Sequence, residues 1–112
     1  MSLQEIIEKL NLKVLTEALK FDHIEPSGGY ASDLLSCVMA GAQNGHVWLT
    51  LQAHANIVAV AALLELSAII ITENAQPDAA TISKANEQGI ILLSTPDPTY
   101  IVCGQLWELG LR

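Results

Sequence analysis

Apolar residues along the chain form two patterns: short continuous runs, and stretches in which they return every three or four positions. Short runs with β-branched and aliphatic residues are typical of strands covered on both faces. Three such runs end in threonine, at residues 47–50, 68–72 and 90–95. The threonines lie 22 and 23 residues apart, which is room for a strand, a helix and two short loops. The second half of the chain therefore predicts repeated strand–helix units.

Helix signals lie between and after these runs. The predicted helices span residues 55–64, 77–88 and 97–109. Asp78 begins the second helix and Gly89 ends it, since glycine accepts the left-handed conformation at a helix end. Asp97 is predicted to cap the third, with Pro98 in its first position, and Gly110 closes it.

The first part of the chain is less regular. Ser2 and Glu5 match a capping box before a helix over residues 3–10. A strand is predicted over residues 12–19, a second short one over 21–24, and a loop over 26–29. Ser32 or Asp33 is predicted to cap a helix running to about Gln43.

Repeated strand–helix units require a parallel sheet with helices on its faces. We therefore predict a single α/β domain over residues 1–112, a three-layer α/β/α architecture with a mostly parallel sheet. Parallel strands bring their carboxyl ends to one edge, where ligands bind in open α/β sheets. The candidate ligand-binding residues at that edge are Thr50, His54, Asn56, Thr72, Glu73, Asn74, Ser94 and Thr95. The alternative is that the threonines simply end their strands.

Charge and cysteine content exclude several classes. The formal net charge is −7, with five scattered lysines and arginines, so no basic cluster is available for nucleic acid or an anionic membrane. No apolar stretch is long enough to cross a bilayer, and the amino terminus does not match a secretory signal. Cys37 and Cys103 are predicted to be buried free thiols. We expect a cytoplasmic protein.

Several segments resemble the DRTGG domain in order and spacing. They are residues 29–36, 48–50, 56–61 and 70–72, then Pro77, Lys84-Ala85 and Gly89-Ile90. Two positions depart from the family: His54-Ala55-Asn56 stands near its Asp-Arg pair, and Glu73-Asn74 stands where it has glycines. The resemblance implies a stand-alone member with a fold similar to the N-terminal domain of HPr kinase. Family members occur as regulatory insertions beside CBS domains in some pyrophosphatases, and no catalytic activity is established for the domain itself.

Catalytic chemistry finds little support in the residues. A kinase needs a glycine-rich phosphate loop with a lysine, but Gly28-Gly29 is followed by Tyr30-Ala31. The His and Cys spacings fit no structural zinc site, and no nucleophile motif is present. We therefore predict no enzyme activity, metal or cofactor.

The leading hypothesis is a regulatory module that self-associates and binds a small, nucleotide-like ligand. The alternatives are an adaptor for a separate kinase or phosphatase, and an enzyme with its site at the threonine edge. Helix 55–64 is apolar on nearly all sides, so a homodimer covering it is expected, unless its own chain covers it.

Overall fold

The computed structural model describes residues 1–17 and 21–112. Its helices are α1 (Leu3–Leu10), α2 (Leu35–Gly41), α3 (Asn56–Leu64), α4 (Ala79–Gln88) and α5 (Thr99–Glu108). Its strands are β1 (Lys13–Val14), β2 (Gly28–Ala31), β3 (His46–Thr50), β4 (Ala68–Ile71) and β5 (Leu92–Ser94).

The five strands form one sheet in the order β1-β5-β4-β3-β2. Strands β2 to β5 are parallel, and β1 alone pairs antiparallel, with β5. Because β2 to β5 run in the same direction, with a helix in each connection between them, the carboxyl ends of these four strands lie at one edge of the sheet. The prediction of an α/β fold with a mostly parallel sheet is confirmed.

Helices cover both faces of the sheet. On one face, Val47 and Leu49 of β3 pack in a core with residues of α1 and α5. On the other, Trp48 packs with residues of α2, α3 and α4. Successive side chains of a strand point to opposite faces, so the apolar runs fill two cores, and the three-layer architecture follows.

The predicted helix starts are confirmed at two places. Ser2 and Glu5 form the capping box of α1, with the Ser2 hydroxyl accepting from the Glu5 amide at 3.2 Å. Asp78 caps α4, and Gly89 ends it with a φ of 69°. The sequence predicts these helix starts correctly because the donor and the acceptor of each capping bond lie within one turn of each other in the chain.

The first part of the chain departs from its prediction. Gly28-Gly29, expected in a loop, opens the edge strand β2. A Cβ on Gly28 would come within 3.1 Å of the His46 ring on β3, so this pairing favours glycine. Residues 21–24 form a turn instead of a strand. The strand predicted over 12–19 contracts to β1, and its last two residues lie outside the described residues.

Helices α2 and α5 begin differently from their predictions. Leu34 stands at the N-cap of α2 and makes no side-chain capping bond, so neither Ser32 nor Asp33 is the cap. Pro98 stands at the N-cap of α5, where Asp97 was predicted. In both cases a polar loop residue was assigned to the helix that follows it, although the free amides of a helix start can also be satisfied by water or by a side chain from elsewhere.

Helix α3 packs between α2 and α4 on the same face of the sheet. Its flanks are therefore covered within the chain, and Leu63 remains outward-facing. The apolar surface of α3 therefore does not need a second molecule to cover it. The homodimer remains a prediction, but α3 no longer supports it.

The cysteines are free, as predicted, but they are not both buried. Cys37 is exposed on α2, and Cys103 is partly buried on α5. Burial raises the pKa of the Cys103 thiol.

Candidate functional site

The ends of the parallel strands place the predicted threonines side by side. Thr50 is the last residue of β3, and Thr72 directly follows β4, donating its amide to the Thr50 carbonyl at 2.9 Å. Thr95 follows β5 and donates its amide to the Ile71 carbonyl at 3.0 Å. This carboxyl edge of the sheet, formed by the strand ends and the loops after them, is called the rim below.

The Thr50 hydroxyl is hydrogen-bonded to other residues of the protein. It donates to Oδ1 of Asp33 at 2.8 Å and accepts the Gln52 amide at 3.0 Å. The same Asp33 oxygen accepts the Leu51 amide at 2.8 Å. The carboxylate that was predicted to cap α2 therefore ties the end of β2 to the loop after β3.

The Thr72 hydroxyl lies on the other side of the sheet. It is hydrogen-bonded to the hydroxyl of Thr99, the first residue of α5. Thr50 and Thr72 are both fully buried, and their hydroxyls point into different helix layers. The threonines thus share an edge, but their hydroxyls do not converge on one pocket.

Glu73 attaches the rim to α5 a second time. Its Oε2 accepts the Thr99 amide at 2.7 Å, so this carboxylate caps α5 in place of the predicted Asp97. Glu73 and Asn74 have φ angles of 60° and 58°, the left-handed region that favours glycine.

Four of the predicted site residues are exposed at the rim: His54, Asn56, Glu73 and Asn74. His54 and Asn56 belong to the start of α3, where the His54 Nδ1 accepts the Asn56 amide at 3.2 Å. The backbone amide of Asn74 donates to the Thr95 carbonyl at 3.2 Å, and the Asn74 side chain is exposed. Of the predicted site residues, these four are accessible to a ligand.

Ser94 and Thr95 contribute differently. Both are buried, Ser94 within β5 and Thr95 just beyond it. The Thr95 hydroxyl accepts the Asp97 amide at 3.2 Å and so stabilises the turn into α5. These two residues shape the rim and present little surface to a ligand.

Two helix starts at the rim, those of α4 and α5, are already partly neutralised by carboxylates, whereas the N-cap residues of α2 and α3 make no side-chain capping bond. Asp78 accepts from the Thr81 hydroxyl at 2.7 Å and from the Thr81 amide at 2.8 Å, and these bonds lower the pKa of Asp78. Glu73 occupies the start of α5 in the same way. A phosphate would meet these negative charges, whereas hydroxyl and amide donors would be accepted.

Sequence reasoning missed Asp33 and Thr99 as parts of the rim. Asp33 follows β2, which was hidden because Gly28-Gly29 was interpreted as a loop. Recognising that edge strand would have placed Asp33 beside the other strand ends. Thr99 had no comparable signal, since its partners lie 26 and 27 residues away.

Residues 1–17 and 21–112 contain neither a metal-binding cluster nor a membrane-spanning helix. No group of three or more His, Cys, Asp and Glu side chains there is placed to hold a metal ion. No helix in this part of the chain combines the length and apolarity needed to cross a membrane.

Comparison with known proteins shows the fold. No family model matches the chain, and no curated protein matches its sequence significantly. A solved structure of the CBS and DRTGG domains from the regulatory region of Clostridium perfringens pyrophosphatase, complexed with its activator diadenosine tetraphosphate, is similar with a TM-score of 0.70. The match has 20% identity and covers 90% of this chain but 44% of that one. The present chain thus shares the fold of less than half of that regulatory region.

Proposed function

We propose that residues 1–112 form a regulatory domain of the DRTGG type, without catalytic activity, that senses a nucleoside-like ligand at the rim. Its fold is similar to part of a regulatory region that was solved with a nucleotide activator. The residues offer no kinase phosphate loop or nucleophile motif. The proposal includes self-association and action in the cytoplasm, with no metal or cofactor and no binding to nucleic acid or membrane.

The observation that carries this proposal is the double attachment of the rim to α5. Thr72 and Glu73 follow the central strand β4, and both bond to Thr99. Glu73 is exposed, so a ligand that contacts its carboxylate competes with the Thr99 amide. Binding at the rim would then change the hydrogen bonding at the start of α5, on one face of the sheet. A sensor requires such a link between its ligand site and another surface.

The charge of the rim selects the ligand class. Asp78 and Glu73 already occupy the starts of α4 and α5, and the protein carries a net charge of −7. A ribose can donate its hydroxyls to the Glu73 carboxylate, and a base can exchange hydrogen bonds with the side chains of Asn74 and His54. The nucleoside part of a nucleotide therefore suits the rim better than its phosphates.

Thermal unfolding and calorimetry test this proposal. Adenosine, AMP and diadenosine tetraphosphate are added to the wild-type protein, and we expect adenosine to raise the Tm. In the variant His54→Ala/Asn74→Gly, which keeps a left-handed backbone possible at position 74, the dissociation constant should rise at least tenfold.

The matched control is Gln88→Ala, an exposed residue at the far end of α4, which should bind like the wild type. No Tm shift with any of the three compounds would contradict the ligand proposal. An unchanged shift in the double variant would show that the ligand binds away from these side chains.

The second candidate is an adaptor for a separate kinase or phosphatase. It is favoured by exposed aromatic side chains on α5, Tyr100 and Trp107. The same ligand screen discriminates the two functions, because an adaptor needs no nucleoside, whereas a sensor does.

A further inference from the structure

The outward face of α5 is apolar and uncovered. Val102 and Leu106 turn inward and are buried against the sheet. On the opposite side, Tyr100 is 86% exposed and Trp107 is 60% exposed, with Gly104 between them. Single exposed apolar residues are common, but two aromatics on one helix face form a patch of the kind that marks an interaction surface.

A hollow lies in the middle of this patch. Its volume is about 490 Å³, and Tyr100, Ile101, Trp107 and Glu108 surround Gly104 in it. Among the described residues, no atom comes within 4 Å of a Cβ built on Gly104, so packing within the chain does not demand glycine there. Glycine inside an exposed helix lowers helix stability, and its benefit is the close approach of another backbone.

Charged side chains lie near both ends of α5. Asp97 and Glu73 lie at its start. Lys9 and Glu108 lie beside each other at its last turn, and Arg112 follows it, with the Arg112 guanidinium 5.2 Å from the centre of the Trp107 ring. A second helix that ran in the opposite direction along this face would bring Arg112 near Asp97 of the other copy and would place Glu108 opposite the neutral Tyr100.

We propose that α5 packs antiparallel against α5 of a second copy of this chain, about a twofold axis at Gly104. This inference deepens the self-association in the proposed function, and it does not depend on the ligand. Positions equally spaced from Gly104 then face each other, so Trp107 meets Ile101 of the second copy. By the same symmetry, Arg112 reaches the Asp97 end of the other helix.

The exposed area supports the centre of such an interface. Each large aromatic side chain offers roughly 150–250 Å², so Tyr100 and Trp107 together expose on the order of 300 Å². A stable interface buries about 800 Å² on each partner. Ile101 and Gly104 extend this apolar centre, and Arg112 and Asp97 border it. A twofold pairing uses one surface twice, so a contact between Arg112 and Asp97 would form at both ends.

Sedimentation velocity of the whole chain tests the proposal. We expect a dimer for the wild type and a dissociation constant at least tenfold higher for Gly104→Gln. That variant fills the hollow with a good helix former, so the monomer should keep its circular dichroism spectrum and a Tm at or above that of the wild type. The matched control is Leu63→Gln on α3, which is 67% exposed on the opposite face and should leave the dimer unchanged.

A charge exchange tests the direction of the two helices. Arg112→Glu should weaken the dimer three- to tenfold, and adding Asp97→Arg should restore it to within threefold of the wild type. A monomeric wild type, a dimer unaffected by Gly104→Gln, or a failed restoration would overturn the proposed pairing. If adenosine raises the Tm of the Gly104→Gln monomer, the rim binds its ligand whether or not the proposed interface is correct. If adenosine raises no Tm but the wild type is a dimer that Gly104→Gln weakens, the interface is correct and the ligand proposal is wrong.

Discussion

The residue-scale feature that most affects this protein is left-handed backbone at positions without glycine. Among the described residues, Asn11, Glu65, Glu73 and Asn74 have φ between 52° and 60°. In this region the Cβ of any side chain crowds the following carbonyl oxygen, and asparagine tolerates it because its short polar side chain can hydrogen-bond locally, whereas glutamate lacks that compensation. Glu73 has a compensating role, because its carboxylate caps α5. The Glu65 side chain makes one long contact, accepting from the Asn44 side-chain amide at 3.5 Å, so its strain is compensated little.

Glu65→Gly is expected to stabilise the protein by about 0.5–1 kcal/mol, because Gly adopts the left-handed end of α3 without the Cβ penalty. The free energy of unfolding is measured with urea. Asn11→Gly, at the equivalent position of α1, is the control and should change stability by less than about 0.5 kcal/mol. Equal effects of the two substitutions would show that Glu65 is not strained.

At the scale of elements, two helices that follow one another in the chain, α4 and α5, obtain their caps in different ways. Helix α4 carries its own acceptor, since Asp78 precedes it and bonds to Thr81. Helix α5 receives its acceptor from Glu73, 26 residues before Thr99 in the chain. The start of α4 is thus a local property, whereas the start of α5 depends on the sheet having formed.

The variant Glu73→Gly is expected to loosen the first turn of α5. It removes the carboxylate but suits the left-handed backbone, so the missing cap is the main change; losing a cap costs about 1 kcal/mol. Hydrogen exchange of the amides at residues 99–102 should become faster. The first turn of α4, with Asp78 unchanged, is the internal reference. Unaltered exchange in α5 would show that the Glu73 carboxylate does not hold this helix.

At the scale of the whole molecule, the sheet joins the two proposed surfaces. The rim lies at the carboxyl ends of the strands, and α5 starts there before crossing one face of the sheet. Thr99 is bonded to the rim by Thr72 and Glu73, and Tyr100 follows it directly on the proposed dimer face. A ligand that draws Glu73 away from Thr99 therefore disturbs the helix on which the second copy packs.

We expect adenosine to weaken the dimer, raising its dissociation constant at least threefold in sedimentation experiments. By thermodynamic reciprocity, each of the two sites of the dimer should bind adenosine more weakly than the Gly104→Gln monomer, by the square root of that factor at saturating adenosine. The Glu73→Gly variant should lose this coupling, since the link to Thr99 is absent. A dimer that tightens on adding adenosine would contradict this direction of coupling.

The sequence by itself determined the parallel α/β architecture, the strand ends at the rim, and the starts of α1 and α4. It could do so because apolar periodicity and capping bonds join residues close together in the chain. Only the tertiary structure decided that Gly28-Gly29 begin an edge strand, that Asp33 serves Thr50 instead of α2, and that Glu73 caps α5. Those outcomes depend on contacts between segments far apart in sequence, whose geometry exists only once the sheet has brought them together. The covering of α3 by its neighbours was decided in the same way, which moved the proposed dimer surface to α5.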